Sequence, residues 1–387
     1  MRRVYCDANA TTPLLPEVAE TMRPYWTEVF GNAASIYGEG QQARKAADHA
    51  RETVAELFHA SAAEVIFNSG GTEGANTAIF GLMRPGDHLI TTTIEHSAVL
   101  RAADRAAKAG AEVTLVAPQS NGIVDPEEIH RALRPQTRLI SVMLANNETG
   151  AVQPAEEIGK IAAGAGAFFH IDAVQGAGKI PLDVERFSCH LCTISAHKMH
   201  GPKGVGAMFA RRGTPLEPLI VGGSHERKLR AGTQNVPGIV GFGKAADLAM
   251  AALADGTLEQ VARLRDRLEA GISKIAGTAV NGAGAPRVAN TTNIRFAQVE
   301  GEALIIALDL KGVAVSGGSA CASGSTQPSH VLMAMGLDKK AALASVRFSL
   351  LKTASQEDVD LIVQAVGETV ERLRALGAEK QPFALRS

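Results

Sequence analysis

From about Thr53 onward, short apolar runs alternate with longer stretches of helical pattern and glycine-rich joints. That alternation predicts an α/β fold, a mostly parallel sheet covered by helices. The candidate strands are Val65–Phe67, His88–Ile90, Glu112–Val116, Leu139–Val142, Ala167–Ile171 and Val205–Phe209. Candidate helices between them include Ala98–Lys108, Pro126–Leu133 and Pro154–Ala163. The one starting at Pro126 has Asp125 ahead of it as an N-cap, proline at its first position and acids in its first turn. From Pro237 to Lys274 the pattern reads as two helices broken at Asp255-Gly256, after which new strand and helix signals begin, so a domain boundary is expected near Ala254. The tail after Leu376 reads as loosely held.

Length and composition sharpen this picture. A chain of 387 residues can bury two cores, and 45% hydrophobic with 20% charged residues suits a packed chain rather than disorder. The formal charge of -1, from 39 basic and 40 acidic residues, gives no overall field to hold a nucleic acid or an anionic membrane, and neither partner is expected. The start, Met1-Arg2-Arg3-Val4-Tyr5-Cys6-Asp7, meets a carboxylate where a secretory signal needs an apolar run. No stretch reads as a membrane span, and a cytoplasmic location is expected. Four cysteines, at positions 6, 189, 192 and 321, are too few and scattered for a disulfide framework.

Three segments carry candidate chemistry. Asn68 to Asn76, with Gly70, Gly71, Thr72 and Gly74, lies between a strand and a helix, where small residues let backbone N–H groups approach an anion. It suits a phosphate cup, and an ordinary tight turn equally well. Asp172 stands at the end of a buried strand, where a carboxylate could face a protonated pyridine nitrogen or serve as a helix cap or structural ion pair. Thr193-Ile194-Ser195-Ala196-His197-Lys198 then places a lysine after a strand. Lys198 could form a Schiff base with an aldehyde cofactor, with Ser195 and His197 donating to its phosphate.

This last stretch resembles the lysine signature of class V pyridoxal-phosphate enzymes, which have the aspartate aminotransferase-like fold, and other motifs narrow the resemblance to cysteine desulfurases of the nitrogen-fixation and iron-sulfur-cluster type. They are Asp7-Ala8-Asn9-Ala10-Thr11-Thr12, Gly31-Asn32, Thr93-Ile94-Glu95-His96-Ser97-Ala98, Asn146 to Gly150, Arg230 to Asn235, and Gly318-Ser319-Ala320-Cys321. The resemblance implies a large cofactor domain over 13–254 with a seven-stranded sheet, and a smaller α/β domain from 1–12 and 255–387 that carries the Cys321 loop. It implies that Lys198 holds pyridoxal 5'-phosphate, that Asp172 faces the pyridine nitrogen and that Gln175 bonds the phenolic oxygen. Gly71, Thr72, Ser195 and His197 would bind the phosphate, with Thr233 reaching over from the second subunit of a homodimer. His96 would stack on the ring and move protons. Asn147, Arg347 and Asn32 would hold the substrate, the planar fork of Arg347 capturing its carboxylate in bidentate fashion.

Cys321 discriminates within the family, because it lies in a run from Ser316 to Ser325 too small and flexible to pack as core. The implied reaction takes L-cysteine to L-alanine. The freed Lys198 removes the Cα proton, the Cys321 thiolate attacks the substrate sulfur, and the resulting persulfide passes to an acceptor protein such as an iron-sulfur scaffold. A free thiol has a pKa of about 8.5, so a base is needed, and His96 is the candidate proton acceptor. A selenocysteine lyase or another class V lyase or aminotransferase would share this site, and an inactive scaffold would need none of it. The Cys321 loop favours desulfuration, and the intact set of Lys198, Asp172, His96 and Cys321 favours an enzyme.

Other signals are discounted. Cys189 and Cys192 match a CxxC spacing, but in a strand their sulfurs would diverge, so core packing is expected over metal binding, as for Cys6. His49, His59, His130, His200, His225 and His330 read as surface or satisfied residues, with His170 in the strand beside the site. Lys203 ranks below Lys198 as the Schiff-base lysine.

Overall fold

The computed structural model describes residues 2–317 and 327–379. The chain opens with the short strand β1 (Val4–Tyr5) and a helix pair before the 21-residue helix Gly38–Phe58. Then come seven strands: β2 (Val65–Asn68), β3 (His88–Thr92), β4 (Glu112–Val116), β5 (Thr137–Met143), β6 (Phe168–Asp172), β7 (Leu191–Ser195) and β8 (Gly206–Ala210). They form one sheet in the order β2-β8-β7-β6-β5-β3-β4. All pairs from β7 to β4 are parallel, and β8 runs antiparallel to both of its neighbours. The continuous apolar runs of the sequence follow from this arrangement. Strands such as β2, β3 and β8 are buried along their whole length, because helices cover both faces.

The large core gathers the inner face of this sheet and the helices Gly38–Phe58, Ala155–Ala165 and Val236–Ala254. Val236–Ala254 corrects one expectation, since at 19 residues it is long and apolar enough to cross a membrane. Its apolar length has another use here: Ile239, Phe242, Ala245, Ala246 and Ala249 pack in the large core, while Lys244 and Asp247 pair on its outer side.

A second core joins Val4 and Cys6 to residues between Val261 and Val370. It is built on a three-stranded antiparallel sheet, β9 (Thr278–Val280), β10 (Thr291–Phe296) and β12 (Ser345–Ser349), with β10 central. Beside it β1 pairs in parallel with β11 (Val313–Ala314). Val331, Leu332, Met335 and Ala342 also lie beyond residue 254, yet they pack against the large core. The helix Gln356–Glu379 runs three residues past Leu376.

Glu226, Arg227 and Lys228 have successive φ values of 44°, 56° and 68°, a left-handed run of non-glycine residues that costs on the order of 1 kcal/mol per residue. A buried fork holds it in place. Arg51 Nη1 and Nη2 bond the two carboxylate oxygens of Glu226 at 2.6 and 2.8 Å, and the Phe67 N–H donates to the same carboxylate. Removing one partner of a buried pair strands the other charge. Glu226→Ala is therefore expected to lower unfolding free energy by roughly 3 kcal/mol or more in urea titrations.

Candidate active site

The parallel strands β5, β6 and β7 end at Met143, Asp172 and Ser195, and all three residues line one cavity of about 700 Å³. Ligand groups in such sheets gather at these carboxyl ends. The segment Gly70-Gly71 begins the helix Gly71–Leu82, with no side chain capping it. A Cβ at Gly71 would lie 2.6 Å from Val174 Cγ2, so only glycine lets the helix start close against the turn after β6. Gly71 and Thr72, with Ser195 and His197 opposite, form a cup at one end of the cavity. Lys203 is exposed at the outer edge of that cup, away from the larger cavity.

Asp172 is buried in the wall, with Oδ1 accepting from Val174 N–H at 3.0 Å. Burial pushes its pKa up, opposed by the nearby His96 and Lys198. A carboxylate kept dry in this way favours a cationic partner. Beneath it His170 bridges the sheet, with ring nitrogens 2.8 Å from Ser141 Oγ and 3.0 Å from Thr193 Oγ1, and burial drives its pKa to about 3. His170 is thus neutral filler. Lys198, in the turn after β7, donates to the carbonyls of Asn9 at 2.6 Å and Ala10 at 2.8 Å. Gln175 donates to the Asn9 carbonyl as well, at 2.9 Å.

His96 caps the helix Ser97–Lys108, its Nδ1 accepting from Ala98 N–H at 3.1 Å. Burial lowers its pKa against the opposing pull of Asp172. In the neutral ring the hydrogen therefore sits on Nε2, and the imidazole is a donor. To serve as the expected proton acceptor, the ring would have to give up this cap and take the proton at Nδ1. His197 is held neutral too, its pKa pushed to about 4 by burial and by Lys198 and Lys203.

Arg347 reaches in from β12, almost fully buried. Its fork is partly engaged: Nη1 donates to the Asn147 carbonyl at 2.9 Å and Nη2 to Asp7 Oδ1 at 2.6 Å. These bonds fix the plane of the guanidinium, and bidentate capture of a carboxylate has to use the remaining hydrogens. Asn147 lines the cavity because Asn146 builds the turn beneath it, with Oδ1 accepting from the N–H groups of Glu148 and Thr149.

Asn32 and Thr233 do not line the cavity of the single chain; Asn32 is exposed, its Oδ1 accepting from Ala34 N–H. Cys321 lies outside the described residues. On either side of its segment, Ser316 pairs with Arg347 through both backbone groups, while Gln327, Pro328 and His330 line the cavity. His330 was read from sequence as a surface or satisfied residue. It stands in the cavity wall, Nε2 donating to the Glu95 carbonyl at 2.9 Å. Only its short distance from Cys321 along the chain could have marked it.

Cys189 and Cys192 correct another argument. β7 begins at Leu191, so Cys189 lies in the turn before it and its thiol meets that of Cys192. Both are buried in the large core, and among the described residues no cluster of metal-ligating side chains occurs.

Residues 4–362 match the model of the family described as aminotransferase class-V. A protein of Nostoc sp. named cysteine desulfurase is 46% identical over 99% of this chain and 97% of its own length. A solved structure titled NIFS-like protein superposes with a TM-score of 0.89 at 36% identity, covering 96% of this chain and all 100% of that one. Another, titled SspA in complex with cysteine, gives a TM-score of 0.80 at 33% identity over 90% of this chain and 98% of its own. The chain belongs to the class-V aminotransferase family. Its similarity runs to the cysteine desulfurases within that family, over nearly the whole length.

Glu95 provides a test of how dry the wall behind His96 is. Its Oε1 accepts from Thr92 Oγ1 and Met143 N–H, its Oε2 has no partner, and burial raises its pKa to about 8. The folded state thus holds a proton that the unfolded state releases near the ordinary carboxyl value. The stability from this group is full below that value and is lost as pH rises through about 8. Glu95→Gln is expected to flatten the decline in unfolding free energy between pH 5 and pH 8 by roughly 2–4 kcal/mol, measured by urea titration at each pH.

Proposed function

We propose that this chain is a pyridoxal-phosphate-dependent cysteine desulfurase, which converts L-cysteine to L-alanine and keeps the sulfur as a persulfide on Cys321. The observation that carries the reading is the convergence of Lys198, Asp172, the cup of Thr72, Ser195 and His197, and Arg347 in one cavity. The names of the relatives and the cysteine-bound neighbour support it.

The residues present fit the cofactor. The glycine-floored cup with hydroxyl donors suits a phosphate, the buried Asp172 suits a pyridinium, and Lys198 stands in the same cavity with Nζ held by two carbonyls. When bound, pyridoxal phosphate supplies an aldehyde that joins amines and a protonated ring that accepts an electron pair from Cα.

Within that frame Asp172 would hold the ring proton in place, and the Gln175 amide would meet the phenolic oxygen. Lys198 is the base for the Cα proton. Arg347 and Asn147 orient the substrate carboxylate. His96, with its hydrogen on Nε2, holds a proton beside the reacting atoms. The Cys321 thiolate forms an S–S bond to the substrate sulfur as the Cβ–S bond breaks, and the electron pair of that bond stays with the alanine fragment. The balance closes without an external oxidant: thiol plus cysteine gives persulfide plus alanine.

The enzyme works as a homodimer, in which Thr233 completes the phosphate cup of the second chain. Exposed Trp26, Phe30, Ile36, Tyr37 and Val221 give one chain a reason to be covered. The persulfide then passes to a sulfur-acceptor protein such as an iron-sulfur scaffold.

Alanine and sulfide release from L-cysteine, with a reductant, tests the reading. Wild type is expected to release both, and Cys321→Ala to lose at least about 100-fold in rate while binding the cofactor normally. Equal rates in the two proteins would remove Cys321 as nucleophile.

A further inference from the structure

Lys179 lies one helical turn after Gln175, behind the wall of the cavity, and the reaction as described has no role for it. Its Nζ donates to Gln175 Oε1 at 2.7 Å and to Asn9 Oδ1 at 2.9 Å. Asn9 in turn presents its carbonyl to Lys198 Nζ at 2.6 Å and to Gln175 Nε2 at 2.9 Å. One short network therefore joins the side chains of Lys179, Gln175 and Lys198 through a single asparagine.

The chemistry of an amide gives this network a function. A glutamine side chain has one acceptor end and one donor end, and either could face a ligand. Lysine can only donate when charged, and its neutral amine still donates two hydrogens. With Oε1 taken by Lys179, Nε2 must turn the other way. One of its hydrogens goes to the Asn9 carbonyl, and the second remains for the cavity that Gln175 lines.

The charged or titratable groups around Lys179 are Lys198 and Arg347, with His200 and Lys352 on the walls of a small cavity of about 40 Å³ beside it. None of these is an acid. Burial, then the two cations, lower the pKa of Lys179 well below its ordinary value, and in either protonation state the amine can donate to the neutral amide of Gln175.

We infer that Lys179 is a positioning residue: it fixes the amide of Gln175 so that an N–H, and never the carbonyl, meets the phenolic oxygen of the cofactor. This rests on the cofactor reading proposed above. Without Lys179 only the Asn9 carbonyl orients the amide, a flip costs less, and the flipped oxygen would repel a phenolate. The proton shared between the phenolic oxygen and the Lys198 linkage would then be held more tightly.

The experiment is a pH titration of the visible band of the protein loaded with pyridoxal phosphate, alongside thermal melting. Lys179→Met is expected to raise the titration midpoint by about half a unit or more. Lys179→Gln, whose shorter amide cannot reach both acceptors, is the second variant and carries the same expectation. In a Gln175→Ala background Lys179→Met should shift the midpoint by less than half as much, because the group it positions is gone. An unchanged midpoint with a lowered melting temperature would make Lys179 merely structural and overturn the inference. A full shift that persists without Gln175 would overturn it too, since Lys179 would then act through its charge. A wild type that takes up no pyridoxal phosphate would instead defeat the reading of the cavity itself.

Discussion

The carbonyl of Asn9 is the acceptor on which the site turns. Residues 7 to 12 leave the small core, where Ala8 N–H bonds the Ser349 carbonyl, and cross to the large sheet, where Thr12 N–H bonds the His197 carbonyl. Asn9 sits between those two anchors. It accepts from Lys198 and Gln175 on the large core, and its own Nδ2 donates to the Asn147 carbonyl and to Thr291 Oγ1 in the small sheet. The lysine, the amide beside it and the arginine fork thus share one strip of backbone. Displacing that strip would move all three groups together.

Burial then sets the proton inventory. It lowers the pKa of His96, His170 and His197 and raises that of Asp172, Glu95 and Glu148. The histidines therefore rest neutral, and the acids of the wall resist ionisation. A desolvated site of this kind gives each remaining charge more weight than it would have in water. Asp172, at the end of β6 in the cavity wall, stands where a cationic partner would repay its burial. The cap on His96 adds a directional constraint, because it leaves the ring with a hydrogen to give rather than a lone pair to offer.

Much of this was legible in the chain. Strands buried on both faces announce themselves as apolar runs, and all six expected from sequence overlap the observed strands at four or more residues, or over their full expected length, with Glu112–Val116 matching at both ends. Asp172 and Lys198 were readable because each follows such a run. What the sequence hid depended on tertiary neighbours. The start of β7 at Leu191, which brings Cys189 and Cys192 together, depends on a turn at Ser188 with φ of 51° rather than on any apolar pattern. His330 reads only as a surface or satisfied histidine, and its place in the cavity wall shows once the Glu95 carbonyl is brought beside it. The membrane-length helix Val236–Ala254 becomes a core helix because the helices Gly38–Phe58 and Pro16–Met22 pack along it. Asn32 illustrates the reverse case, a motif residue that the single chain leaves outside the cavity.

The central claim is that this cavity delivers sulfur from cysteine to Cys321. Its most direct test is mass spectrometry of the Cys321 peptide after the loaded protein meets L-cysteine with no reductant present. The account predicts one added sulfur atom on Cys321 and a matching amount of alanine. Alanine formed with Cys321 unmodified, or with the sulfur on Cys6, Cys189 or Cys192 instead, would contradict it.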